Sequence, residues 1–304
     1  MTSAMPAANA LVTSLLRRRV TALFEQLPHA VAGNEEAIHE LRIAGRRLRT
    51  ALPVLAQRPG GKRQARCREA LRTLTRAAGV ARDLDVAAGL LEAYLASDMS
   101  QGPKPALLRR HMRDARRRSR ARLAQTLLDA DIRRLRADLR VLLARGGAET
   151  PTALARCAVC ARAWQARVSA RLAALRATLD VEALHALRRA ARRLRYLVEL
   201  HGELRGRGSQ APRLLKGLQD ALGHIHDQHV LATWLQGHTR RALARGARGQ
   251  ARQSAQLRMR AEQAIARLHR SYLNCRPVAT VSRAMEMSAI APAPAPAVKD
   301  RRRA

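Results

Sequence analysis

The sequence predicts an all-α protein, and three observations carry that prediction. Aromatic residues make up only 2% of the 304 residues while Ala, Leu and Arg dominate, a composition that suits helices and deprives β-sheets of the residues they pack with. Apolar residues recur at three- and four-residue spacing between clusters of Gly and Pro. An eleven-residue pattern that acquires two distinct faces on a helix also occurs twice. Residues 39–49 read HELRIAGRRLR and residues 185–195 read HALRRAARRLR, identical at eight of eleven positions and 146 residues apart.

Taken in order, the periodicity predicts helices over 8–27, 35–57, 63–78 and 82–97, separated by Gly33-Asn34, by Pro59-Gly60-Gly61 and by a cap-like Asp83. Gly102 and Pro103 open the next helix, on which Leu108, Met112, Ala115, Ser119 and Leu123 share a face; it breaks near 129–131 and resumes to Arg145. Gly146-Gly147, Thr150 as N-cap and Pro151 at the first helical position mark the main boundary, because proline suits the first turn, whose N–H groups lack partners. Helices over 151–178, 181–204, 211–222, 225–245 and 250–274 follow. The pattern fails after Pro277, and AIAPAPAPAVKDRRRA (289–304) reads as a disordered Pro/Ala tail with a basic end.

At about 100° per residue, His39, Arg42, Arg46 and Arg49 fall in one stripe, as do His185, Arg188, Arg192 and Arg195. The opposite faces are apolar: Leu41, Ala44, Leu48 and Leu52 in the first copy, Leu187, Ala190, Leu194 and Val198 in the second. Such a helix buries one face and offers guanidinium groups to a polyanion. Asn34 and Asp180 are natural N-caps, with Glu36 and Glu182 in the acidic first turns. Downstream, LRTLTRAAGVARDLDV (71–86) matches LKGLQDALGHIHDQHV (215–230) at an offset of 144, with Gly79/Gly223 and Asp83/Asp227 coinciding. The expected organisation is a tandem duplication: a first half over 8–148, a second over 149–276, and a tail over 277–304.

The formal charge is +35, and of 58 basic residues only Lys62, Lys104, Lys216 and Lys299 are lysines. Self-repulsion on this scale opposes compaction, so an acidic partner is expected, alongside a contribution from a codon bias towards Arg and Ala. No run of 18 apolar residues occurs, so no membrane span is expected. The absence of positive charge before Arg17 is unlike a signal peptide, and the expected location is the cytoplasm.

These motifs resemble the CHAD domain, a histidine-containing all-helical domain. H-x-L-R-x-x-x-R-R-L-R twice, RDLDV after the first ladder and LQDALGHIHD after the second carry the resemblance, from about residue 8 to residue 275. It implies two pseudo-symmetric antiparallel helical bundles facing a shared basic channel, and binding of inorganic polyphosphate, at polyphosphate granules in some relatives. Many relatives add a triphosphate-processing CYTH domain with an E-x-E-x-K strand motif; no E-x-E occurs here.

The expected polyphosphate-binding set is therefore His39, Arg42, Arg46, Arg47, Arg49, His185, Arg188, Arg192, Arg193, Arg195 and Lys216. Asp83, Asp85, Asp220 and Asp227, with Glu199 on the face of Arg192 and Arg195, are read as carboxylates that hold ladder arginines in place, ahead of catalytic acids, bases or Mg²⁺ ligands. His226 and His229 are read as ordinary polar positions, and Cys157-x-x-Cys160 as a helical pair without zinc or redox chemistry. Tyr196 and Trp234 are read as packing residues. The run Arg109–Arg122 is either a solvated face or an extension of the basic surface. No cofactor, metal or catalytic residue is expected, and the oligomeric state is left open. The rival functions are a non-specific nucleic-acid binder, which lacks any recognition motif, and a metal-dependent phosphoanhydride hydrolase, which lacks a dense carboxylate cluster.

Overall fold

The computed structural model describes residues 5–96, 105–175, 180–207 and 211–274. Among these every regular element is a helix: α1 (Met5–Val31), α2 (Glu35–Leu55), α3 (Lys62–Ala96), α4 (Pro105–Asp129), α5 (Ile132–Ala144), α6 (Thr150–Ala174), α7 (Val181–Arg205), α8 (Ala211–Ala244) and α9 (Arg248–Asn274). The expected tail, 277–304, lies outside the described residues.

Four element boundaries differ from expectation. The two helices expected over 63–78 and 82–97 are one helix as far as it is described, α3 (Lys62–Ala96), and those expected over 211–222 and 225–245 are another, α8 (Ala211–Ala244). Asp83 is therefore mid-helix and caps nothing. The expected break in α3 rested on Asp83 as a cap, a local preference that tertiary packing outweighs. Helix α6 takes Glu149 as its N-cap, without a side-chain cap bond, and Thr150 is already helical. Helix α1 continues through Pro28 to Val31, since a proline near the C-terminal end removes one hydrogen bond without breaking earlier ones.

Helices consecutive in sequence pack on one another: α1 on α2, α2 on α3 and α3 on α4, then α6 on α7, α7 on α8 and α8 on α9. The groups are joined through α3 against α8, and through α2 against α6 and α7. One hydrophobic cluster runs through the junction, from Leu16, Leu23, Leu41 and Leu48 to Cys157, Leu187 and Leu194. The 148/149 division thus separates helices but not their core. Leu48 is fully buried, and truncating such a leucine to alanine typically costs 2–5 kcal/mol. The connector is fixed by its backbone: Gly147 N donates to Thr13 Oγ1 at 2.8 Å and Ala148 N to Leu55 O at 2.9 Å. A Cβ at Gly147 would lie 2.6 Å from Val12 Cγ1.

A second, smaller cluster joins the far ends of the long helices: Leu91 of α3, Met112 of α4, Leu231 and Leu235 of α8 and Leu257 of α9. Between the two clusters α3 and α8 carry polar residues at the same level, Asp83 and Asp85 on one, His226, Asp227 and His229 on the other. That seam positions the site.

Candidate anion-binding site

The ladder helices start where the sequence places their caps. Asn34 Oδ1 accepts from Ala37 N at 2.9 Å, and Asp180 Oδ1 from Glu182 N at 2.9 Å. Leu41, Leu48 and Leu52 of α2 and Leu187, Leu194 and Leu197 of α7 are buried, which turns the arginine stripes towards the junction. The two stripes are close enough to act on each other. Arg46 is held below the usual guanidinium range by burial first, then by Arg42 and Arg192. Arg192 is shifted the same way by burial, Arg188 and Arg42. Guanidinium groups keep their protons in proteins, so the molecule carries this like-charge strain in its free form. A bound polyanion would relieve it.

A groove of about 590 Å³ runs along the stripes. The ladders contribute Arg46, Arg49, Arg192 and Arg193; α3 contributes Arg68, Arg72 and Arg76; α6 and α7 add Arg171 and Arg189. Among the described residues nine guanidinium groups line it, and no carboxylate does. Arg49 is pushed down by burial, Arg72 and Arg68, and Arg193 by burial, Arg49 and Arg68, so the α3 arginines face the ladders. Sequence reasoning missed all five added arginines. Arg68, Arg72 and Arg76 were legible as an i, i+4, i+8 stripe; Arg171 and Arg189 carried no such signal.

Beside the groove the ladders are tied together by a polar relay. Arg42, 8% exposed, lies 3.2 Å from Asp83 Oδ1. The other oxygen of Asp83 is 3.6 Å from His226 Nε2, and His226 Nδ1 is 2.9 Å from His185 Nε2. Burial alone would raise Asp83, but His226, Arg42 and Arg188 hold it at about 2. Asp227 is raised by burial, against the pull of Arg188. The repeated glycines lie against the first rungs: a Cβ on Gly79 would stand 3.7 Å from Arg42 Nε, and one on Gly223 3.8 Å from Arg188 Nη2, ordinary contact distances. His39 is half-buried with Nδ1 unpartnered, and is lowered by burial, then Arg82. His185 is lowered to about 4 by burial, then by His226 and His229. His226 and His229 therefore belong to the site, contrary to the expectation from sequence.

Other expected members lie elsewhere. Asp85, whose side chain is 2% exposed, accepts from Arg116 Nε at 2.8 Å and Arg120 Nη2 at 2.9 Å. It ties α3 to α4 rather than to a ladder arginine, sharing Arg116 and Arg120 with Glu35 at the start of α2. Asp220 pairs with Lys216 at 3.0 Å on the exposed face of α8, so neither belongs to the site. Arg47 and Arg195 pair with Glu199 at 3.3 and 3.5 Å and lie over the ring of buried Tyr196. Arg47 lines a separate cavity of about 360 Å³, with Arg18, Arg19 and Glu203. The Arg109–Arg122 run is divided: Arg109 pairs with Glu92, Arg116 and Arg120 with Asp85 and Glu35, and the exposed Arg113, Arg117, Arg118 and Arg122 do not line the groove. Trp234 stacks on His238 inside the smaller cluster, as a packing residue. Burial pushes the Cys157 thiol up to about 12 while it donates to Leu197 O at 3.3 Å, far from thiolate chemistry.

Fold and groove together define an all-α protein with an arginine-lined cleft where two helical groups meet. The chain belongs to the CHAD domain family, whose family model matches residues 14–236, a narrower span than the motifs suggested. The chain is similar to the CHAD domain from the plant Ricinus communis at 21% identity and TM-score 0.59, covering 92% of this chain and 91% of that one. It is similar to PptA from Streptomyces chartreusis at 19% identity and TM-score 0.63, covering 86% of this chain and 98% of that one. At this identity both share the fold. No curated protein matches. Among the described residues no helix is long and apolar enough to cross a membrane.

Proposed function

We propose that this protein binds linear inorganic polyphosphate in the arginine groove and does not turn it over. The observation that carries the reading is the lining itself: nine guanidinium groups from four helices, without a carboxylate among them. Arginine presents a planar fork suited to phosphate oxygens, and polyphosphate is a flexible chain of closely spaced charges. Affinity comes largely from counterion release, as for nucleic-acid backbones. The CHAD resemblance supports the same ligand, and the tandem arrangement of the ladders supports a duplicated origin for the two walls. A lining without carboxylates offers no ready ligand set for Mg²⁺, which favours binding over hydrolysis. The same reading puts the protein where polyphosphate accumulates, in the cytoplasm or on its granules.

Nucleic acid is the rival polyanion. The one indole in the groove, Trp164, is covered by Arg167 and Arg193 at 4.6 and 5.0 Å from its centroid, so its ring is committed to cations rather than bases. Competition at about 0.15 M salt, where exposed charges are screened beyond roughly 8 Å, separates the two. Polyphosphate should displace charge-matched single-stranded DNA at far lower concentration than the reverse. Equal displacement by both would make this a general basic protein.

A further inference from the structure

The two halves differ where they touch the ladder histidines. At the offset of 144, Arg82 corresponds to His226 and Asp85 to His229. In the first half His39 is accompanied by Arg82, a permanent cation, and Asp85 is spent on α4. In the second half His226 Nδ1 lies 2.9 Å from His185 Nε2, with the rings edge-on at 4.7 Å. The His229 ring sits 5.2 Å from that of His185. Three imidazoles thus meet beside Arg188, where the first half has fixed charges.

The groups facing this cluster come from four helices. Helix α7 supplies Glu182, Arg188 and Arg189, α8 supplies Asp227 and the exposed His224, α3 supplies Asp83, and Arg42 of α2 holds Asp83. Thr233 Oγ1 is 3.5 Å from His229 Nε2. Two imidazole nitrogens 2.9 Å apart share one proton, one donating and the other accepting. A second proton there meets repulsion from its neighbour and from Arg188 and Arg189. Burial, then His226 and His229, hold His185 at about 4, and burial followed by His226 lowers His229. His185 and His229 therefore resist protonation while the site is empty. An oxyanion beside it reverses the balance, since each imidazolium donates from both nitrogens. Among the described residues no group of three or more His, Cys, Asp or Glu side chains is placed to hold a metal ion, which leaves protons as what this cluster takes up.

We propose that His185, His226 and His229 form a titratable subsite that takes a phosphate oxyanion, so that the grip on a polyanion tightens as pH falls. This rests on the polyphosphate reading of the groove and adds its regulation. The first half, with one imidazole, His39, beside the fixed charge of Arg82, contributes the smaller pH dependence, and the second acts as the sensor. Binding is accompanied by proton uptake, and by linkage the ligand raises the cluster's affinity for protons as much as protons raise its affinity for ligand.

The test is the affinity of long-chain polyphosphate, with proton uptake, at fixed salt from about pH 8 to about pH 5.5, the range in which imidazoles change charge. The wild-type protein should gain about tenfold, the scale of one added hydrogen bond between charged partners. His226→Arg installs the first half's residue and should bind at high pH as tightly as the wild type does at low pH, with a flattened profile. The double change His226→Gln and His229→Gln should remain at the weak, high-pH affinity throughout. Circular dichroism and melting check that each variant is folded. A double variant that gains as steeply as the wild type overturns the subsite. Wild-type binding that ignores pH overturns it too, while leaving the groove reading intact; no polyphosphate binding at any pH overturns both.

Discussion

The guanidinium of Arg42 lies 3.2 Å from the carboxylate of Asp83, joining the first rung of the α2 ladder to the middle of α3. Arg42 is 8% exposed, so this carboxylate is its main compensation against the neighbouring arginines.

Replacing Asp83 with Asn leaves Arg42 buried among like charges. The free protein should lose about 1–3 kcal/mol, the cost of leaving a buried polar group without its partner. The sign with pH follows from a carboxyl held at about 2 against an ordinary 3.8. Its contribution is complete above about pH 4 and is lost as pH falls towards 2. Melting of Asp83→Asn should therefore differ from wild type at neutral pH and converge on it near pH 2. Polyphosphate should raise the melting temperature of the variant by more than that of the wild type, because the ligand replaces the lost negative charge. An unchanged melting temperature at pH 7 would show that the pair contributes nothing.

Arg46 is charged at the expense of stability, which the proposed polyphosphate groove would explain. Burial, Arg42 and Arg192 all disfavour its charge, so Arg46→Met should stabilise the free protein by about 1 kcal/mol, the low end seen when buried ions give way to apolar residues. That corresponds to roughly 2–4 °C for a domain of this size. Affinity for polyphosphate should fall in the same variant. A variant that is both less stable and fully competent to bind contradicts the strained-ladder account.

Position matters more than charge count. Changing Arg68, Arg72, Arg76 and Arg189 to Ala removes four groove charges, and changing the exposed Arg113, Arg117, Arg118 and Arg122 to Ala removes four surface charges. The first set should reduce polyphosphate affinity at least about tenfold more, since each contact to a charged group is worth about 1.5–3 kcal/mol while distant surface charges are screened. It should also flatten the dependence of affinity on salt, by about 0.7 in log–log slope per lost contact. Equal losses in the two variants would remove the groove from the mechanism.

Gly45 stands in the first ladder where the second has Ala191. A Cβ there would lie 2.5 Å from Thr75 Cγ2, and Thr75 is anchored by its hydroxyl to Leu71 O at 2.8 Å. Gly45→Ala should destabilise by about 1–3 kcal/mol, the usual effect of overpacking, despite alanine's better helix propensity. Adding Thr75→Ser, which deletes the conflicting methyl, should recover most of the loss. A neutral or stabilising Gly45→Ala would mean that α2 and α3 separate freely.

Below neutrality the free protein should weaken for a second reason. His238 is 3% exposed, held by Ser254 Oγ at 2.8 Å and His111 at 2.7 Å, and is lowered to about 4 by burial, then by His111. A histidine depressed in the folded state contributes stability that is present above its ordinary value near 6.5 and is lost as pH falls through that value towards 4. Melting temperature should decline over this window, and His238→Gln should lessen the decline. A profile identical to wild type would exclude His238 as a contributor.

Helical structure, the apolar faces of the ladder helices, the caps at Asn34 and Asp180, and the membership of each arginine stripe were legible in the amino-acid sequence, while the continuity of α3 and α8 was not. Those are local consequences of a 100° turn per residue. The sequence also exposed the paired glycines, although their place against Arg42 and Arg188 needed the packed structure. The tertiary structure alone decided which stripes meet. It brought Arg68, Arg72 and Arg76 to the ladders, sent Asp85 to α4, and drew His226 and His229 to His185. The physical reason is that periodicity fixes the angular position of a side chain on its own helix. The crossing angle and offset between helices are set instead by how distant leucines interdigitate, and a shift of one turn there changes every polar partner across the junction.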